Sequence, residues 1–263
     1  MDWNIDWITE DNFKTHIRNT ILKYENKLVS YDVAKFNSNI IDPIKMIFDK
    51  SVYGYDWDDM TDAEIFRQRD KSNNNEIGYF HQKLFEYIDG CEVPDEGWDV
   101  IYTGAYTIDD RIPVSKIYVE MKNKHNTMNS SAAADTYQTM QQQILDDDDC
   151  VCMLVEIIAK KSQDITWKKN GRNNNRIRRV SIDKFMEIVT GEADAFYKMC
   201  KALPEAIQEV LAEGDSVDPP TDTVLTELRA KAEEIDPANP EEAMILAMYS
   251  LGFSTYNGFD EEE

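Results

Sequence analysis

Gly97-Trp98-Asp99-Val100-Ile101-Tyr102 is followed by Lys116-Ile117-Tyr118-Val119-Glu120-Met121-Lys122, so that Glu120 falls 21 residues after Asp99. Both stretches are rich in β-branched and aromatic residues and read as strands. Side chains on a strand alternate between faces. Ile117, Val119 and Met121 therefore share a face suited to burial, and Tyr118, Glu120 and Lys122 share the other. Thr107-Ile108-Asp109-Asp110-Arg111-Ile112-Pro113 reads as the turn that joins the strands in a hairpin. Antiparallel pairing then sets Asp99 beside Glu120 and makes one site of two carboxylates and an ammonium. Such a trio at adjacent strand ends suits binding a divalent metal and positioning a water against a phosphodiester.

With 51 acidic and 28 basic residues, Glu-x-Lys triplets also arise by chance. Glu25-Asn26-Lys27 is one, in a helical stretch where the spacing marks only a solvated face. Glu120-Met121-Lys122 differs by its strand setting, by Asp99, and by the segment that leaves it, Asn123-Lys124-His125-Asn126-Thr127-Met128-Asn129-Ser130-Ser131. Asn pairs bidentately with adenine and Lys with guanine in the major groove, while Ser, Thr and Lys suit phosphates. Lys124, His125, Asn126, Asn129 and Ser130 are the candidate DNA-contacting residues here. A polar loop ending in a Ser helix cap fits the same segment. Both readings hold if Asn129 to Ser131 cap a helix while Lys124 to Asn126 face DNA.

Three runs carry a closer likeness: Glu76-Ile77-Gly78-Tyr79-Phe80-His81-Gln82-Lys83, Gly97-Trp98-Asp99-Val100, and Tyr118 through Asn129. Together they resemble the type II restriction endonucleases that cleave GGNCC or GGWCC sites, the SinI and Eco47II group. The similarity runs from about Asn39 to the Phe253-Ser254-Thr255-Tyr256 region. The resemblance implies a PD-(D/E)xK core, double-stranded DNA as substrate, Mg2+ dependence and a cognate DNA methyltransferase as genetic partner. Its acidic pair maps to Asp99 and Glu120 and its lysine to Lys122; Trp98 stands where the pattern has proline. The chemistry expected is hydrolysis giving 5′-phosphate ends. Asp99 and Glu120 hold one or two Mg2+ ions, and Lys122 orients the attacking water. A two-fold symmetric site cut on both strands implies a homodimer.

Glu76 carries two readings: a carboxylate at a helix start that complements the helix dipole, or a third carboxylate reaching the metal site. His81 reads as a packed or surface histidine rather than a ligand, and His125 as the better candidate because it leaves the catalytic strand directly.

The net charge of −23 is the reverse of what a DNA binder usually carries. Its distribution softens the conflict: residues 201–263 hold 16 acidic and 3 basic residues. Residues 160–184 hold nine Lys or Arg against Asp164 and Asp183. Lys168, Lys169, Arg172 and Arg176 make that stretch a candidate phosphate footprint, with Gly171 and Asn173 to Asn175 as a flexible loop; a solvated hairpin tip is the alternative. The four cysteines, Cys91, Cys150, Cys152 and Cys200, show no zinc spacing and read as inert thiols in a reducing cytoplasm. With no apolar run of membrane-spanning length and no basic, apolar leader at the N-terminus, the expected location is the cytoplasm of a prokaryotic cell.

Elsewhere the pattern predicts helices over 9–28, over 39–70 with breaks at Pro43 and Tyr53-Gly54-Tyr55, and from Glu76 to about Ile88 after Asn73 to Asn75. Further helices are expected at Ser131 to Leu145, Ser181 to Val189, Glu192 to Leu211, 223–235 and 240–251. Cys150 to Ala159 is a strand buried on both faces. Residues 214–222 read as a linker and the C-terminus as an acidic tail. The fold class expected is α/β, a mixed sheet flanked by helices in a restriction-endonuclease-like core, with helical N- and C-terminal additions. Its divisions are a helical region over 1–75, a nuclease core over 76–212 and an acidic helical extension over 213–263, packed as one unit. Two other classes fit the composition: a nuclease of the same core without sequence specificity, acting in repair or recombination, and a non-catalytic acidic module for a basic protein partner.

Overall fold

Asp109 and Asp110 both take left-handed backbone, φ 49° and 56°, in the computed structural model, which describes residues 3–26, 28–169, 171–214 and 221–253. Asp tolerates this conformation better than most side chains, and the pair closes the expected hairpin. The strands are β1 (Cys91–Glu92), β2 (Val100–Ile108), β3 (Ile112–Lys124), β4 (Cys150–Ile158), β5 (Asp164–Lys169) and β6 (Arg172–Ser181). The helices are α1 (Glu10–Glu25), α2 (Val33–Asn37), α3 (Pro43–Tyr53), α4 (Trp57–Lys83), α5 (Ser130–Asp146), α6 (Ile182–Thr190), α7 (Ala195–Glu213), α8 (Val224–Ile235) and α9 (Pro240–Phe253). A 3₁₀ turn, Leu84–Tyr87, follows α4.

All six strands form one mixed sheet in the order β1-β2-β3-β4-β6-β5. β3, β4 and β6 run parallel, and β1, β2 and β5 pair antiparallel at the flanks. Parallel neighbours need a crossover, which α5 provides between β3 and β4. β4 is buried from Cys150 to Val155 with no exposed area, as expected of a central strand. On one face, Ile117, Val119, Val151, Met153, Val155 and Val180 pack with Phe85 and the α6 side chains Ile182, Phe185 and Met186. On the other, Tyr118, Cys152, Leu154 and Ile177 pack beneath Ala133, Tyr137 and Met140 of α5. Each fully buried aliphatic side chain contributes about 1.5–3 kcal/mol, so both sheet faces are tied firmly to their helices. The α/β mixed sheet flanked by helices is as the sequence predicts.

Two units divide the chain. One comprises Met1–Ile21 and Glu76–Ser216, the other Leu22–Asn75 and Val217–Glu263. Besides the sheet, the first contains a cluster in which Phe13 and Ile17 of α1 meet Phe80, Leu84, Met199 and Ala206. In the second, Phe36, Met46, Trp57 and Met60 pack with Leu228, Ala232, Met244 and Met248.

Three local expectations are corrected. α4 runs through Asn73 to Asn75 instead of starting after them. Asn is only a weak helix breaker, and the Asn74 amide donates to Asp70 at 2.9 Å one turn earlier. Glu76 therefore sits well inside a helix, not in the first turn where the dipole reading placed it. Pro43 opens α3 at its first turn rather than interrupting a helix, capped by Asp42. Asn173 to Asn175 lie within β6, not in a loop; the turn between β5 and β6 is made at Gly171, φ 77°. Most of the expected linker (215–220), the acidic tail and the Ser254 to Tyr256 end of the resemblance lie outside the described residues. No helix among the described residues is long and apolar enough to cross a membrane.

Candidate active site

The hairpin register is what assembles the site. Val100 pairs with Val119, and the Asp99 amide donates to the Val119 carbonyl at 3.0 Å, so Asp99 stands opposite Glu120. Asp99 Oδ2 accepts from the Met121 amide at 2.6 Å. Lys122 Nζ donates to Glu120 Oε1 at 2.6 Å, joining the two polar positions of the alternating strand. Met121, between them, turns to the opposite face and joins the apolar cluster there.

Burial pushes the Asp99 carboxyl above its ordinary value, and the neighbouring Glu120 charge pushes it further; the Met121 amide and the Lys122 ammonium pull the other way. Two carboxylates that repel across one strand pair form an acidic, oxygen-donor site.

Neighbouring side chains brace this end of the sheet. Gln82, near the end of α4, donates to the Asp99 carbonyl at 3.1 Å. A Cβ at Gly78 would lie 3.6 Å from Asn123 Nδ2, so the α4 turn carrying Glu76 passes the end of β3. Glu76 is half-buried there. No group of three or more His, Cys, Asp or Glu side chains set to hold a metal occurs among the described residues. Trp98, in the proline position of the pattern, donates its indole N–H to Gln143 of α5 at 3.1 Å and packs against Tyr118. His81 is half-buried and its pKa is lowered to about 4, chiefly by desolvation, so it is a packed neutral ring.

The segment after β3 is short and ordered by its own bonds. Lys124 and Asn126 are exposed and His125 is half-buried. Thr127 returns its amide and hydroxyl to the Lys124 carbonyl. Asn129 caps α5, its side-chain oxygen accepting from the Ala132 amide at 2.8 Å, and Ser130 is the first helical residue. The cap is thus asparagine rather than serine.

The basic stretch is distributed differently. Glu120, Leu154 and Arg179 form one cross-strand row. Lys168 pairs with Asn173, six residues before Arg179, which is about 20 Å along the strand from that row. Lys168 and Arg172 are exposed and Lys169 half-buried. Arg172 donates to Gln141, and Arg176 to the carbonyls of Asp148 and Cys150. Arg178 is buried between Asp109 and Asp164. The structure therefore separates Lys168, Lys169, Arg172 and Arg176 from the Asp99 end of the sheet.

Sequence reasoning missed one pair. Glu156 on β4 is aligned with Lys122 on β3, is only 1% exposed, and is bonded to Arg179. The available signal was a lone carboxylate inside the apolar run from Cys150 to Ile158, since a buried charge requires a partner.

A mixed sheet with two facing carboxylates and a lysine at one strand end, beside a β-α-β crossover, is the framework of a nuclease. The chain belongs to the Eco47II restriction endonuclease family, whose model matches residues 5–212. It is 30% identical over 217 residues to the type II restriction enzyme Sau96I of Staphylococcus aureus, covering 78% of this chain and 80% of that one. To the type II restriction enzyme Eco47II of Escherichia coli it is 26% identical over 222 residues, covering 80% and 89%. Membership places the chain among enzymes that cleave DNA at specific sites.

Proposed function

We propose that this chain hydrolyses double-stranded DNA at a GGNCC-like site, with Mg2+, leaving 5′-phosphate ends, and that its catalytic part is residues 76–212. The observation that carries the proposal is the register that sets Asp99 opposite Glu120 with Lys122 bonded to Glu120. The donor set fits a hard divalent cation: both acids offer oxygen, and their mutual repulsion would be relieved by positive charge between them. Asp99 and Glu120 would hold the ion, which when bound supplies Lewis-acid activation of the phosphodiester. The Met121 amide holds one oxygen of the Asp99 carboxylate in place and leaves the other for the ion. Lys122 orients the attacking water and offsets charge developing on the phosphoryl oxygens. Glu76 supports the site as an additional carboxylate from α4.

Lys124, His125, Asn126, Asn129 and Ser130 would meet the bases and nearby phosphates. Lys168, Lys169, Arg172 and Arg176 would touch phosphates further along the duplex. Two copies would act as a homodimer on one site, in the cytoplasm of a prokaryotic cell that protects its own DNA with a cognate methyltransferase. The test is digestion of phage DNA with Mg2+ by wild type and Glu120→Ala, with fragment ends sequenced. Discrete GGNCC-like ends from wild type, lost in the variant, are expected. A smear would replace the specific reading with non-specific nuclease action, and no cutting by wild type would reject both.

A further inference from the structure

The segment that leaves β3 for α5 is tied to the sheet by a buried pair that the chemistry above does not use. Glu156 is the only charged residue of β4 and is almost completely buried. Its Oε1 accepts from Arg179 Nη2, and the same nitrogen donates to the His125 carbonyl at 2.8 Å. The His125 amide donates to the Ile158 carbonyl at 3.0 Å. Both backbone polar groups of His125 are thus held, one by the end of β4 and one by Arg179. Glu156 Oε2 and Arg179 Nε are buried without a hydrogen-bond partner in the structure. An ion pair that leaves a carboxylate oxygen and a guanidinium N–H buried without partners is a poor device for stability alone, because desolvating two charges is costly. Glu156 is also in register with Lys122, so the pair lies directly beside the catalytic strand end.

We infer that Glu156 and Arg179 are positioning residues that clamp the His125–Asn129 segment against the sheet, so that base-reading and bond-cleaving groups keep one geometry. The inference rests on the restriction reading above for what the segment contacts, and on the hydrogen bonds alone for the clamp. Arg179 reaches a carboxylate and a carbonyl at once through the two N–H bonds of Nη2, aimed by a rigid planar guanidinium; a lysine keeps the charge without that reach and fixed direction.

Arg179→Lys and the double variant Glu156→Met with Arg179→Met test it, the second removing both charges so that neither is left buried alone. In metal-free protein without DNA, exchange of the hydrogen-bonded His125 and Thr127 amides should quicken by about tenfold in Arg179→Lys, the scale of one charge-assisted hydrogen bond. Core amides of β3 and β4 should be unaffected. On DNA, kcat at the preferred site should fall and KM hold, and discrimination against sites with one base changed should shrink by about tenfold. The double variant should melt near wild type yet show the same loss of discrimination. Unchanged exchange in Arg179→Lys overturns the clamp whatever the DNA gives. Faster exchange with intact discrimination in both variants overturns its role in recognition. Wild type that cuts no DNA while exchange still quickens sinks the restriction reading and leaves only the mechanical clamp standing.

Discussion

Asp99 sits in an environment that opposes its charge, and that conflict is measurable. Burial and the Glu120 carboxylate raise its pKa above the ordinary 3.8, so the folded protein holds this proton more tightly than the unfolded chain does. The sign follows from linkage: its contribution to stability is complete below the unfolded value and is lost as pH rises through the folded one. Neutral pH is therefore where metal-free protein bears the full penalty. Asp99→Asn keeps an acceptor for the Met121 amide and removes the charge. It should melt higher than wild type at neutral pH in EDTA, with the gap closing toward acid pH, and should not cut DNA. Melting curves against pH decide this; an Asn variant that melts no higher at pH 7 would contradict the assignment of strain to Asp99. The placement of Asp99, Glu120 and Lys122 was legible because strand alternation and a hairpin turn are local signals. The Glu156–Arg179 pair was not, because it depends on which distant strands lie side by side, and no spacing rule links 156 to 179 or to 125.

At the scale of elements, α5 shows how one residue serves structure and is a candidate for function at once. Its Asn129 cap holds the Ala132 amide, and replacing such a cap by Ala costs about 1 kcal/mol, or about 2–4 °C in melting temperature for a domain of this size. Asn129→Ala should show that loss. Asn129→Asp keeps the capping oxygen and should melt like wild type, yet its negative charge should weaken cleavage if the segment faces phosphates. Equal cleavage by the Asp variant and wild type would confine Asn129 to capping. Most elements were readable from periodicity: α6, α7, α8 and α9 start and stop close to where apolar spacing placed them. The errors came where side-chain chemistry is ambiguous. Three successive asparagines look like a turn, but in α4 the cost of each is small against the packing on either side of them. Within the arginine-rich stretch, Arg176 and Arg178 are bonded to this chain's own carbonyls and carboxylates, a partnering that composition cannot reveal.

For the whole molecule, a charge of −23 sets protein and DNA against each other at long range. On the proposed reading attraction would be local, from lysines and polar groups near the strand end and from cations that the acidic pair would hold. A single such surface would cut one strand. The proposed dimer supplies two, related by the same symmetry as the site, and its mass in solution should be twice the 30.5 kDa of one chain. A sharper consequence concerns mixed assemblies. Wild type refolded with an excess of Glu120→Ala forms dimers with one working centre. Acting on a supercoiled plasmid with one preferred site, these should nick it to the open circle rather than linearise it. The fraction nicked should peak as the variant comes into excess, because nearly every wild-type chain is then paired with an inactive one. If the mixture instead gives linear product in proportion to the wild-type chain present, each subunit completes both cuts without a partner. The symmetric dimer would then have to be abandoned even though the carboxylate pair remained the cleavage site.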